Sequence, residues 1–319
     1  MRAFLKSVAL AAATVFAQDT PEVTEPAQAG TAYNYKSNGS DWGEYNALCA
    51  NGKEQSPIDL NEGAEENDKM EINGYGYMNY PDGKFITHKG DTLQMDFTDG
   101  EFQLTFPDGS MSLFEPLDLH FRSPSEHTVE GKHHDLEMQI LHQYKGTNGQ
   151  FGAVIAIFFD VEDGGGEASP FIESLLFPNA TYYIPDGPHI DPNPLMWQNE
   201  TLGTHLNVTD VQLASLLASI DMTNYWSYPG SLTAPPCTEG VKWTILPKVQ
   251  TISQEQLDGF TNWFSGNTTF ADGNGNNRAV QELNERTVYY AVIPPPEEDG
   301  AISTAIGAAV LAAVAFLAF

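Results

Sequence analysis

Positive charge is scarce in this chain. Only 14 Lys and Arg stand against 43 Asp and Glu in 319 residues, a formal net charge of −29. Nucleic acids and sulfated glycans are gripped by basic grooves, so both are excluded as partners. The acid excess suits a solvated surface. Cysteine is nearly absent: Cys49 and Cys237 are the whole complement. In an oxidising compartment an even pair is a disulfide candidate, the alternative being two free thiols. No nucleophile elbow and no Ser-His-Asp order occur, which argues against an esterase-like hydrolase. No internal repeat is present.

Apolar runs stand at both ends. Residues 1–17 have basic Arg2 and Lys6 ahead of an apolar run from Val8 to Phe16, with Val15-Phe16-Ala17 suited to cleavage. That run is too short to span a bilayer and reads as a secretory signal peptide. Residues 18–32, rich in Pro, Thr, Glu and Ala, read as a disordered leader. Residues 295–319 hold an acidic spacer, Glu297-Glu298-Asp299, and then an apolar tail from Ala301 to Phe319. Small residues precede the tail and no polar residue follows it, the pattern of a removed GPI-anchor signal; a retained membrane tail is the alternative. The expected address is the secretory pathway, with the product secreted or on the outer face of the plasma membrane. Sequons at Asn38, Asn179, Asn199, Asn207 and Asn267 are then candidate glycosylation sites.

Between the ends, residues 33–294 are expected to form one domain. Its short alternating runs, Thr92–Phe97, Leu117–Arg122, Leu136–His142, Val154–Phe159 and Trp243–Leu246, are separated by Gly, Pro and Asp-Gly turns. Two helices are expected: one after Thr209 with Val211, Leu213, Leu216 and Leu217 on one face, one after the capping box Ser253-x-x-Gln256. The class is mostly β with peripheral helices. On the run 117–122, alternation puts Asp118, His120 and Arg122 on one face and Leu117, Leu119 and Phe121 on the other; on 136–142, Glu137, Gln139 and Leu141 share a face. Polar side chains of both strands therefore point into a common cleft.

This hairpin resembles the zinc-binding hairpin of α-type carbonic anhydrases, His-x-His on one strand and Glu-x-His on the next. Four further stretches carry the likeness in family order: Gln55-Ser56-Pro57-Ile58-Asp59, Ser125-Glu126-His127, Tyr228 to Cys237 followed by Trp243, and Asn276-Asn277-Arg278. The resemblance implies a large central, mainly antiparallel twisted sheet, and a bridge between Cys49 and Cys237. It also implies a site in which zinc ionises a water that attacks carbon dioxide. In that site Thr233 and Glu126 match the pair that orients the hydroxide. Glu137 matches the residue that holds the third histidine, and Asp118 lies beside it in the second shell. Leu141, Val154, Leu232 and Trp243 match the apolar wall for carbon dioxide, and Asp91 stands at the proton-shuttle position.

The ligands depart from the family. His120 matches the first histidine, but Arg122 and Gln139 stand where the second and third belong. An amide oxygen is a poor zinc ligand, and a guanidinium is none. At about 4 Å from a dication its repulsion is on the order of 8 kcal/mol at an effective dielectric of 20. No cofactor is expected. Arg122 is expected to replace the metal as the buried positive charge, with Glu126, Glu137 and Asp118 as partners. His133 and His134 read as solvated loop histidines, His142 and His127 as structural, and His88 precedes the shuttle position. Two functions follow from the resemblance. One is a catalytically inactive carbonic-anhydrase-related binding module for a protein, a neutral glycan or a small anion such as bicarbonate. The other is an active zinc enzyme with a non-standard ligand set.

Overall fold

A computed structural model describes residues 33–61, 63–89, 91–147, 149–176, 205–264 and 270–292. The signal peptide, the leader, the C-terminal tail and the sequons at Asn179, Asn199 and Asn267 lie outside the described residues. Among those described, no helix is long and apolar enough to cross a membrane.

The strands in chain order are β1 (Asp59–Leu60), β2 (Glu65–Asn67), β3 (Glu71–Tyr77), β4 (Lys84–His88), β5 (Leu93–Asp96), β6 (Gly100–Thr105), β7 (Met111–Arg122) and β8 (Thr128–Val129). They continue as β9 (Lys132–His133), β10 (Leu136–Tyr144), β11 (Phe151–Asp160), β12 (His205–Val208), β13 (Trp226–Ser231), β14 (Glu239–Thr251) and β15 (Tyr289–Ala291). Twelve of them make one sheet with the path β12-β4-β5-β7-β10-β11-β14-β13-β15-β2, to which β6 adds on β7 and β3 on β6. Its pairings are antiparallel except for β11 with β14 and β15 with β2. The expected mostly-β, large twisted sheet is what forms.

The helices are α1 (Ala47–Asn51), α2 (Pro170–Leu176), α3 (Leu213–Ala218) and α4 (Gln254–Phe264). The α4 capping box closes as expected. Ser253 Oγ accepts from Gln256 N, and Gln256 Oε1 accepts from Ser253 N, each at 3.2 Å. Leu213 and Leu217 of α3 are buried, whereas Val211 precedes that helix and bridges Tyr80.

Alternation along the central strands separates two apolar layers. Leu119, Phe121, Met138, Ile140, Ile155 and Ile157 face the larger core under the helices. Leu141, Val154, Ala156, Trp243 and Ile245 face the other side. One expectation fails here: Leu117 packs with this second layer, not with Leu119 and Phe121. The register of β7 against β10 slips between Leu141 opposite Asp118 and His142 opposite Pro116. Such a bulge turns the side chain over, which strict alternation cannot foresee.

Cys49 of α1 and Cys237 are bridged, with Cα atoms 5.2 Å apart at a sequence separation of 188. In the chain-entropy account a loop that long stabilises by about 5 kcal/mol. The bridge also ties the segment after β13, which carries Thr233, to a small aromatic cluster of Tyr35 and Trp42.

Candidate functional site

The cleft is built on β7 and β10, whose register sets Gln139 opposite His120 and Glu137 opposite Arg122. Asp118, His120, Arg122, Gln139 and Glu137 are thus brought together as their spacing implies. A chain of hydrogen bonds links Asp118, His120, Gln139 and Glu137. Gln139 Nε2 donates to Glu126 Oε2 at 2.8 Å and to Glu137 Oε1 at 2.9 Å. Two carboxylates therefore fix which way the amide points, and its oxygen lies 3.0 Å from His120 Nε2. The other ring nitrogen, Nδ1, lies 2.7 Å from Asp118 Oδ1. Each nitrogen of His120 therefore faces a side-chain oxygen.

Arg122 is 3 % exposed. Its Nε lies 3.5 Å from Glu126 Oε2, an ion pair outside hydrogen-bond geometry. Nη1 donates weakly to the Asp91 carbonyl at 3.5 Å, and the guanidinium sits 5.8 Å from the Tyr35 ring centre. Burial alone would push the guanidinium down, but Tyr35, Glu126 and Asp91 outweigh it and hold it above its ordinary value. The cation is permanent.

Its partners differ from those expected. Only Glu126 of the three anticipated carboxylates pairs with it. Asp118 is taken by His120, and Glu137 by Gln139, His127 and two backbone amides, Glu126 N and His127 N. Glu137 stays ionised: burial pushes its carboxyl up, yet His127 and the amide donors bring it below the usual range. His127 is structural as expected, with Nδ1 2.9 Å from Glu137 and Nε2 2.7 Å from Tyr228 Oη.

Thr233 and Glu126 do not form the expected pair. The Glu126 carboxylate accepts from Arg278 N and Gln139 Nε2 and faces Arg122, and among the described residues no hydrogen bond joins it to Thr233. Asp91, expected as a proton exporter, is 7 % exposed and accepts a 2.8 Å hydrogen bond from Tyr33 Oη. The apolar wall does assemble, with Leu141, Val154, Leu232 and Trp243 in one cluster.

Several residues that the sequence motifs contain, without an evident role, brace this floor. Asn276 Nδ2 donates to the Asp91 and Phe121 carbonyls, and its Oδ1 accepts from Ser123 N. Gly275, at φ +81°, lets that loop approach, because a side chain there would meet the Ser123 carbonyl. Arg278 fans out to Gln55 Oε1, Ser56 O and Cys49 O at 2.8–2.9 Å. Nothing in the local sequence pattern of Tyr33 and Tyr35 marks them as neighbours of Asp91 and Arg122.

Other site expectations meet mixed outcomes. Asn38 Nδ2 donates to Asn277 O at 3.1 Å. Asn207 lies on the edge strand β12. His142 is fully buried and meets Tyr77 Oη at 2.6 Å. His134 is not a solvated loop residue: it is 8 % exposed and its ring packs against Phe158. Short strand β9 folds the turn back against the end of β11, which a polar turn sequence does not reveal.

The profile of the family described as eukaryotic-type carbonic anhydrase matches residues 37–181 and 194–292. Alpha carbonic anhydrase 7 of Arabidopsis thaliana is 28 % identical over 81 % of this chain and 84 % of its own. Dioscorin dioA3 of Dioscorea japonica is 30 % identical over 76 % and 77 %. A solved structure of dioscorin complexed with ascorbate superposes with a TM-score of 0.61 at 27 % identity, covering 79 % of this chain and 93 % of that one. A profile match over most of the chain, on this sheet and these motifs, settles the kinship: the chain belongs to the eukaryotic-type carbonic anhydrase family.

Proposed function

We propose that this protein is a catalytically silent member of its family, secreted or held at the cell surface, that serves as a binding module. The observation that carries the reading is the donor set at His120. Zinc, which the family implies, does not fit these residues. Both ring nitrogens of His120 are engaged by other side chains, Nδ1 2.7 Å from Asp118 Oδ1 and Nε2 3.0 Å from Gln139 Oε1. Arg122 is a permanent buried cation beside it, and the oxygen of Gln139 is turned to His120 by Glu126 and Glu137.

What remains is the sheet with its apolar cluster of Leu141, Val154, Leu232 and Trp243, in a chain of net charge −29. A protein or neutral glycan outside suits that charge better than a polyanion, and a small anion such as bicarbonate could meet Arg122 within. The secretory signal, the C-terminal anchor and N-glycans belong to the same reading. Kinship admits it, since relatives of comparable identity are named both as carbonic anhydrases and as dioscorins. Stopped-flow carbon dioxide hydration on the mature, untagged protein tests it. The expected rate is that of buffer alone. Turnover abolished by a sulfonamide would establish instead an active enzyme with a non-standard ligand set.

A further inference from the structure

We propose that His134, Asp160 and Asp163 form a second site, outside the His120 cleft, for a divalent transition-metal ion of the zinc class. His134 precedes β10 and Asp160 ends β11, and the pairing of Leu136 with Phe159 brings these ends together. The Asp160 side chain is 6 % exposed. Its Oδ1 accepts from Glu162 N at 2.9 Å and Asp163 N at 2.8 Å, which leaves Oδ2 directed at His134. The tight turn that follows also folds Asp163 back toward the ring.

The pointer to a ligand is His134 itself. Its Nδ1 is buried without a hydrogen-bond partner, an unfavourable arrangement for a polar atom unless something else occupies its lone pair. The nearest acceptors are Asp160 Oδ2 at 3.4 Å and Asp163 Oδ2 at 3.7 Å. Good hydrogen bonds to nitrogen are shorter, about 2.7–3.2 Å. The spacing instead suits ligands sharing one ion: bonds of about 2.0–2.1 Å in a tetrahedron put neighbouring donors about 3.3 Å apart. All three donor atoms lie within 4.8 Å of one another.

One imidazole with two carboxylates favours zinc-class ions over calcium or magnesium, which prefer oxygen alone. Three protein donors leave a fourth position for water. Two further groups face the site. Asp135 N approaches Asp160 Oδ2 at 3.3 Å. Lys132 Nζ lies 2.9 Å from Asp163 Oδ2, but that side chain is 60 % exposed and free to withdraw. It stands as a competitor for the same carboxylate.

Zinc ion titrated by calorimetry into the full, chelator-stripped chain tests the site. One equivalent should bind, His134→Ala should abolish it, and Asp163→Asn should weaken it at least about tenfold. Lys132→Ala should tighten it, up to about fivefold, because the competing ammonium is gone. His120→Ala should leave it unchanged. Asp163 and Lys132 are exposed enough that their variants keep the fold, which circular dichroism checks. No heat with the native chain, or zinc retained in full by both His134→Ala and Asp163→Asn, would overturn the site. Zinc lost on His120→Ala but not on His134→Ala would overturn both this inference and the silent-cleft reading. Zinc lost only on His134→Ala leaves the latter standing.

Discussion

Arg122 and Glu126 face each other in the floor of the cleft, guanidinium Nε 3.5 Å from carboxylate Oε2, with side-chain exposures of 4 % and 0 %. Four residues apart in sequence, they come from the end of β7 and the turn beyond it. A positive charge thus faces the Glu126 carboxylate at the position where the resemblance implies a metal-binding histidine.

Removing one partner should be far worse than removing both. Arg122→Met leaves the Glu126 charge buried without a counter-ion and should cost about 3–5 kcal/mol. Arg122→Met with Glu126→Gln should recover most of that. Urea unfolding at neutral pH measures both. A single variant losing less than about 1 kcal/mol would show the pair to be no more than a surface-grade contact.

Restoring two imidazoles should restore the metal. With Arg122→His and Gln139→His, the repelling cation is gone and Glu137 is free to orient the ring at position 139. The double variant should hold zinc that His134→Ala does not remove, and should hydrate carbon dioxide slowly, because Asp91 is buried and engaged by Tyr33. Metal analysis and stopped-flow assay read this out. A folded variant that stays metal-free at that position would mean the cleft differs more deeply from its relatives than in two ligands.

Acid should weaken the fold before its carboxylates titrate. Burial pushes the His142 imidazole down to about 3, whereas an unfolded histidine takes a proton near about 6.5. The folded value is the lower one, so the stabilisation is complete above about pH 6.5 and is lost as pH falls toward 3, by about 1.4 kcal/mol per pH unit. Glu137, also held below its ordinary range, adds to the loss at lower pH. His142→Gln can still meet Tyr77 but does not titrate, and its urea midpoint should be flatter between about pH 6 and 5. An unchanged slope in that variant would assign the effect elsewhere.

The sheet, the capping box of α4 and the facing of His120, Arg122, Gln139 and Glu137 were all legible in the sequence, because alternation and capping are local codes. The bridge between Cys49 and Cys237 followed from the resemblance. What escaped depends on contacts remote in sequence. Leu117 is turned over by a bulge set by two strands, and His134 is covered by Phe158 and Asp160 at the end of β11. The true neighbours of Arg122, namely Tyr35 and Asp91, come from different parts of the chain. Its expected partners Asp118 and Glu137 share the right face, but nearer donors claim them, and competition of that kind is not written in spacing.

The central claim is that His120 holds no zinc. A crystal of the native protein soaked in zinc, with anomalous scattering recorded at the zinc edge, tests this most directly. The account predicts no peak within bonding distance of His120 Nε2 and Arg122 turned inward against Glu126. A full-occupancy peak on His120 with Arg122 swung out to solvent would contradict it.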